Sequence, residues 1–190
     1  MNERQIKKIK LTDKNTLDVE YSEITGEEGT ADIVTRQGSH EVHIDFINKL
    51  NELNIHLATL CEEGQYTEFE DDKTKLEIFS VTGLSFGGSD EHEGVTLIGR
   101  KLLKNNGVLN LVPPFVKLNP AHSTYSYVAS LNEIARELQS EADLHLNGKY
   151  APPRQMNLFD KGPSEDGEIE EEVEKPKGRH RKLKKESEAA

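Results

Sequence analysis

Apolar and polar residues alternate along Lys8-Ile9-Lys10-Leu11, and again through Leu17, Asp18, Val19, Glu20, Tyr21 and Ser22. A period of two is that of a strand with one buried face. These segments predict two strands, and Asp13-Lys14-Asn15 between them supplies turn chemistry. A third strand is expected at 31–36, after the loop that contains Gly26 and Gly29. The period then changes. Across 43–62, Phe46, Ile47, Leu50, Leu53, Leu57, Leu60 and Cys61 recur three and four residues apart, which places them on one face of a helix. Cys61 is expected to pack there as a small apolar group.

Strands resume at 75–84, 95–104 and 108–112. Asn106-Gly107 between the last two predicts a hairpin with a type I′ turn, in which both central residues have positive φ. Pro113-Pro114 ends that ladder or places it at an edge, because proline donates no backbone hydrogen bond. A second helix fits 123–146, with Val128, Leu131, Ile134, Ala135, Leu138 and Ala142 as its buried stripe and Gly148 as its stop. Strands grouped around two separated helices predict an α+β domain over residues 1–150. Its expected core is an antiparallel sheet of about five or six strands with two main helices, not a doubly wound sheet.

Beyond residue 150 the periodicity stops, and composition takes over. The chain has 190 residues and a net charge of −11, with 34% hydrophobic and 31% charged residues and a mean hydropathy of −0.71. That apolar share is low for a chain packed throughout. The deficit lies in 151–190. There Glu165, Asp166, Glu168, Glu170, Glu171, Glu172 and Glu174 precede Lys175, Lys177, Arg179, Arg181, Lys182, Lys184 and Lys185, and four of the seven prolines fall in the same stretch. Such a segment buries too little apolar surface to offset its ordering entropy, so a disordered tail is expected. Residues 1–150 carry a net −10 and the tail −1. A body this acidic is a poor general surface for nucleic acid. No run approaches the roughly 18 apolar residues of a membrane span. The opening MNERQIKKIK is followed by no apolar stretch of a secretory signal. One cysteine makes neither a disulfide framework nor a cysteine-based zinc site. These features predict a reduced, cytoplasmic protein.

One short segment of the tail carries chemistry. After Pro152-Pro153-Arg154 comes Gln155-Met156-Asn157-Leu158-Phe159. This resembles the pentapeptide by which bacterial proteins dock on the β sliding clamp of the replisome. Those peptides favour a glutamine, an aliphatic residue, a small or polar residue, then Leu-Phe; Met156 departs mildly from the commonest leucine at the second position. The resemblance covers five residues, so it points to a partner and not to a fold family. It implies that Leu158 and Phe159 enter an apolar pocket, that Gln155 fixes register through a hydrogen bond, and that Met156 fills the space between. It also implies a bacterial, phage or mobile-element setting and a role in DNA replication, repair or recombination. Met156, Leu158 and Phe159 are the one cluster of large apolar side chains in the tail, and the two prolines stiffen the approach to them.

Other signals are weaker. The basic residues Arg179, Arg181, Lys182, Lys184 and Lys185 are candidates for salt-dependent contact with DNA phosphates, although seven acids precede the basic run and compete for it. Lys7, Lys8 and Lys10 cluster at one end of the body and Arg100, Lys101 and Lys104 line a strand, which leaves room for a basic face in it; the alternative reading is a single-stranded DNA-binding or annealing module. In the loop 85–94, Asp90, His92 and Glu93 are candidate ligands for a divalent ion, as in a metal-dependent nuclease. The paired glycines of that loop lack the Gly-Lys-Ser/Thr and the helix of a phosphate-binding loop. The run Glu68-Phe69-Glu70-Asp71-Asp72 reads as a solvated loop. No catalytic constellation stands out, and nothing in the chain calls for a cofactor.

Overall fold

The computed structural model describes residues 4–24 and 31–152. The chain divides into a unit Met1–Pro153 and a unit Arg154–Ala190, so the expected boundary at 150 falls three residues later. The strands are β1 (Arg4–Leu11), β2 (Leu17–Ile24), β3 (Ala31–Arg36), β4 (Phe79–Gly87), β5 (Gly94–Leu102), β6 (Val108–Leu111) and β7 (Val116–Lys117). The helices are α1 (Ile44–Glu52), α2 (Asn54–Leu60), α3 (Tyr66–Asp71) and α4 (Val128–Leu146). Every strand pair is antiparallel, in the order β3-β2-β1-β4-β5-β6, with β7 also on β5. The fold is therefore α+β on an antiparallel sheet. The strand that periodicity misses is β7, two residues long.

One face of the sheet is buried beneath the helices. Ile6, Ile9, Leu17, Val19, Val81, Leu84, Val95 and Leu97 project into a core completed by Phe46, Leu50, Leu53, Leu57, Leu131 and Leu138. On β5 the close approach of α2 requires Gly99: a Cβ there would collide with Leu57 Cδ2 and the Ser80 carbonyl oxygen. The opposite face carries the polar partners of the alternation, among them Lys8, Lys10, Asp18, Glu20 and Arg100. Among the described residues no helix is long and apolar enough to cross a membrane.

The two tight hairpins share one turn. At β1–β2, Thr12 N–H donates to Thr16 O at 2.9 Å and Asn15 N–H donates to Thr12 O at 3.0 Å, with Asn15 at φ 56°. At β5–β6, Leu103 N–H donates to Gly107 O at 2.8 Å and Asn106 N–H to Leu103 O at 2.9 Å, with Asn106 at φ 59°. Each is a type I turn followed by one left-handed residue, the common three-residue hairpin loop. This corrects the expected type I′ turn at Asn106-Gly107. Only Asn106 is left-handed there, because the ladder closes at Leu103 and Gly107 and not at Asn105 and Val108. Asparagine tolerates that conformation better than other residues with a Cβ.

Four other expectations are corrected. The helix expected at 43–62 is broken at Leu53, whose N–H turns back to Leu50 O at 3.2 Å. Phe46, Leu50, Leu53 and Leu57 remain buried across the break, so the apolar period gives no sign of it. The acidic run at 68–72 is not a loop: α3 buries Phe69 edge-on against Phe79, ring centroids 6.2 Å apart, and leaves the acids outside. Residues 73–76 form a 3-10 turn, not strand, because Asp72 accepts hydrogen bonds from both Thr74 N (3.2 Å) and Thr74 Oγ1 (2.6 Å). The second helix starts at Val128 and not at 123. Ser123 Oγ accepts from Tyr125 N at 3.2 Å and Asn119 Oδ1 from Ala121 N at 3.0 Å, which holds the lead-in in turns.

Asn54, the first residue of α2, does unusual work. β1 runs along β4 only as far as the Lys10–Gly83 pair, and β4 bulges between Val81 and Gly83. The Val81 N–H is left facing the helices, and Asn54 Oδ1 accepts it at 2.8 Å. Asn54→Ala should cost about 1–3 kcal/mol, the penalty for leaving a part-buried donor unpaired. Asn54→Asp, which keeps the acceptor, should recover most of that loss. Urea unfolding of the three chains measures it, and equal midpoints would refute the assignment.

Candidate functional site

The sequence-predicted docking residues Gln155, Met156, Asn157, Leu158 and Phe159 lie outside the described residues. So do Arg179, Arg181, Lys182, Lys184 and Lys185. What is described is the segment that delivers the chain to them, and its geometry begins at the end of α4. Gly148, at φ +106°, ends the helix as its sequence position predicts. Gly148 N–H donates to His145 O at 3.1 Å and Lys149 N–H to Leu144 O at 2.9 Å, the paired bonds of a Schellman turn.

The chain then returns across the domain. Tyr150 forms an antiparallel bridge with Val42, and Ala151 N–H donates to Glu41 O at 3.0 Å. The Tyr150 ring stacks on His40 with centroids 4.2 Å apart and planes 13° from parallel, and it meets His145 edge-on at 4.9 Å. Lys149 Nζ lies between Glu141 (2.8 Å) and Asp45 (2.9 Å). These two carboxylates, Glu141 first, raise the lysine pKa, and Lys149 in turn is the main cause that holds Asp45 below its ordinary value. Backbone, ring and charge contacts thus anchor 149–151 to the start of α1. Pro152, the last described residue, is exposed.

The basic residues of the body do not gather into one surface. Lys8, Lys10 and Arg100 share the open face of the sheet, but Lys8 is in register with Glu20, Lys10 with Asp18, and Arg100 Nη1 lies 3.3 Å from Asp13 Oδ1. Lys101 faces the helices, bonded to Glu63 and 5.4 Å from the Phe79 ring centroid. Lys104 sits in the β5–β6 turn. A groove of about 330 Å³ on the open face holds Lys10 and Arg100 with Thr82, Ile98, Asn110 and Val112.

The loop 85–94 is shorter than expected, because β4 continues to Gly87 and β5 begins at Gly94. Asp90–His92 form a single 3-10 turn. Arg136 on α4 holds both oxygens of Glu93, with Nη1 3.0 Å from Oε1. Glu91 lies 3.5 Å from His122. The candidate ligands Asp90, His92 and Glu93 are therefore not brought to a common point. Among the described residues no group of three His, Cys, Asp or Glu side chains is placed to hold a metal ion.

One cluster escaped sequence reading. His56 is fully buried, with Nδ1 2.9 Å from Tyr125 Oη and Nε2 3.4 Å from Ser130 Oγ. Tyr66 stacks on Tyr127 at 3.8 Å and tilts over His56 at 5.4 Å. Burial lowers the His56 pKa to about 4 and raises that of Tyr125. A neutral imidazole between two hydroxyls can relay a proton, but this one has no solvent access and serves as a satisfied core group. The available signal was its position between Leu53 and Leu57 on the apolar stripe. Cys61, half-buried at the end of α2, packs against the core as expected, and burial followed by the Glu63 carboxylate raises its thiol pKa. That opposes formation of the reactive thiolate.

Searches of known family models, of curated proteins and of solved structures each find no match to this chain.

Proposed function

We propose that this protein is an accessory factor of bacterial or phage DNA replication, repair or recombination that docks on the β sliding clamp through Gln155–Phe159. The observation that carries the reading is the pentapeptide Gln-Met-Asn-Leu-Phe itself, placed three residues past Pro152. Its support is positional. The domain end at 149–151 is tied to α1, so the peptide starts from a defined exit. A docking peptide carried on the same chain brings the domain to whatever the peptide binds. The domain then either carries an activity to the clamp or blocks other clients there.

The binding physics is that of a short linear motif. Two apolar side chains supply most of the gain, and ordering an extended segment consumes part of it, which leaves micromolar affinity. Titration of the protein into purified β clamp by calorimetry should give a saturable heat with a micromolar dissociation constant. A synthetic peptide spanning 152–160 should compete for the same site. Absence of heat at clamp concentrations well above micromolar would overturn the reading.

A further inference from the structure

Among the described residues β6 is a terminal strand of the sheet, and no charge guards its edge. Natural sheets blunt such edges with charge, proline or cover. The opposite edge, β3, carries Asp32 and Arg36. By contrast, 105–116 reads NNGVLNLVPPFV, twelve residues without a charge in a chain that is 31% charged. Val108, Leu109 and Val112 are 57, 45 and 64% exposed, and Leu102, in register with Val108 on β5, is 49% exposed.

We infer that this edge pairs with the same edge of a second copy, antiparallel and two-fold about Asn110, so that the two sheets become one. The register follows from backbone accounting. The Leu103 N–H to Gly107 O bond fixes which residues face β5. Alternation along the ladder then turns Gly107, Leu109 and Leu111 toward β5 and Val108 and Asn110 outward, and the same alternation carried one residue past the strand turns Val112 outward. Pairing centred on Asn110 sets Val108 opposite the partner's Val112 and Asn110 opposite the partner's Asn110, so all three outward residues find matching donors and acceptors. The partner's Pro113 falls opposite Gly107, whose backbone groups face β5, so the missing proline N–H costs nothing. Centring on Val108 would run the partner strand into the hairpin turn. Centring on Val112 would set Asn110 against the partner's Pro114, which has no N–H. Centring on Leu109 would set Val112 against the partner's Asn106 in the turn, and centring on Leu111 would set Val108 against the partner's Pro114, so only the Asn110 register satisfies every outward group.

Side chains agree with that register. On the open face Leu102, Val108 and the partner's Val112 form a continuous apolar row, and on the helix side Leu109 meets the partner's Leu111. Charge selects a second copy over a charged extended chain. Each copy carries −11, and this neutral strip is where two copies meet without setting acid against acid. The contact is short, so the dimer is concentration-dependent and weaker than one with an interface of standard size. It uses no residue of 155–159.

Sedimentation velocity of the full chain over a micromolar concentration series should show a monomer–dimer equilibrium, and Leu109→Lys should sediment as a monomer while keeping its circular dichroism spectrum. Register is read by cross-linking in a Cys61→Ser background. Asn110→Cys places two thiols on the two-fold axis with Cα atoms about 5.5 Å apart, within disulfide range. Val108→Cys places its thiols four residues out of register, about 13 Å apart, and Thr35→Cys tests the β3 edge. Oxidised dimer from Asn110→Cys alone supports the pairing. A monomer at every concentration, a dimer indifferent to Leu109→Lys, or cross-linking as strong at Val108→Cys or Thr35→Cys would overturn it.

Discussion

The Leu158→Ala/Phe159→Ala chain should bind the β clamp roughly 100- to 10,000-fold more weakly than the parent. Full burial of one leucine or phenylalanine side chain contributes about 1.5–3 kcal/mol, so the pair contributes about 3–6 kcal/mol, and each 1.4 kcal/mol is a factor of ten in affinity. Starting from a micromolar constant, the double variant falls to a level where calorimetry registers no saturable heat. On the proposed reading Leu158 and Phe159 serve docking alone, so the fold should be untouched. The measurement therefore has two arms: clamp titration, where a large loss is expected, and urea unfolding, where the midpoint should match the parent. Equal clamp binding by both chains would remove Leu158 and Phe159 from the interface. A lowered midpoint would instead mean that the two side chains pack on the domain.

The parts of the fold that were legible in the sequence are those where a local rule and the tertiary structure agree. β1 and β2 alternate cleanly because one face of the sheet is buried and the other wet, and the stripe of α4 is the face that meets the core. The departures have tertiary causes or turn on single side chains. The break at Leu53 is invisible because both helices bury the same stripe, and Asn54, which marks the break, is engaged by Val81 of another element. Phe69 is one apolar residue among acids, too little for any period, yet Phe79 waits for it across the core. β7 is two residues that pair only because β5 outruns β6.

The functional signal divides in the same way. A linear motif is read without the fold, because its chemistry is contiguous in sequence; the proposal for 155–159 is of that kind, and it lies outside the described residues. The candidates that depended on tertiary convergence are decided by the fold. Asp90, His92 and Glu93 are neighbours in sequence, but Arg136 on α4 takes Glu93 and His122 takes Glu91. Lys8, Lys10 and Arg100 do reach one face, but across the sheet they meet Glu20, Asp18 and Asp13. Neighbouring charges in sequence say little until the sheet register decides what lies opposite each of them. The same register exposes the neutral β6 edge, which no reading of periodicity singles out.

The second large effect is acid lability between pH 6.5 and 4, set by His56. In the unfolded chain this imidazole has its ordinary pKa of 6.5, and in the fold burial lowers it to about 4. Above pH 6.5 it is neutral in both states and adds no pH dependence. Between the two values the unfolded chain binds a proton that the folded chain excludes, so stability falls as the pH falls. Two and a half pKa units at 1.36 kcal/mol each amount to about 3 kcal/mol lost by pH 4. His145, lowered mainly by burial, adds in the same direction. Asp45 and Asp72 are held low, the first chiefly by Lys149 and the second by Thr74, and their contributions are lost only as the pH drops below the ordinary carboxylate value of 3.8. Urea midpoints measured from pH 7.5 to 4 for the parent and for His56→Asn isolate the His56 part. The variant, whose amide can still meet Tyr125, should start less stable because it leaves unfilled core volume, and its profile should be flatter by about 3 kcal/mol. The slope and not the starting value carries the test: parallel profiles would show that His56 admits a proton in the folded state, which its burial and its bonds to Tyr125 and Ser130 oppose.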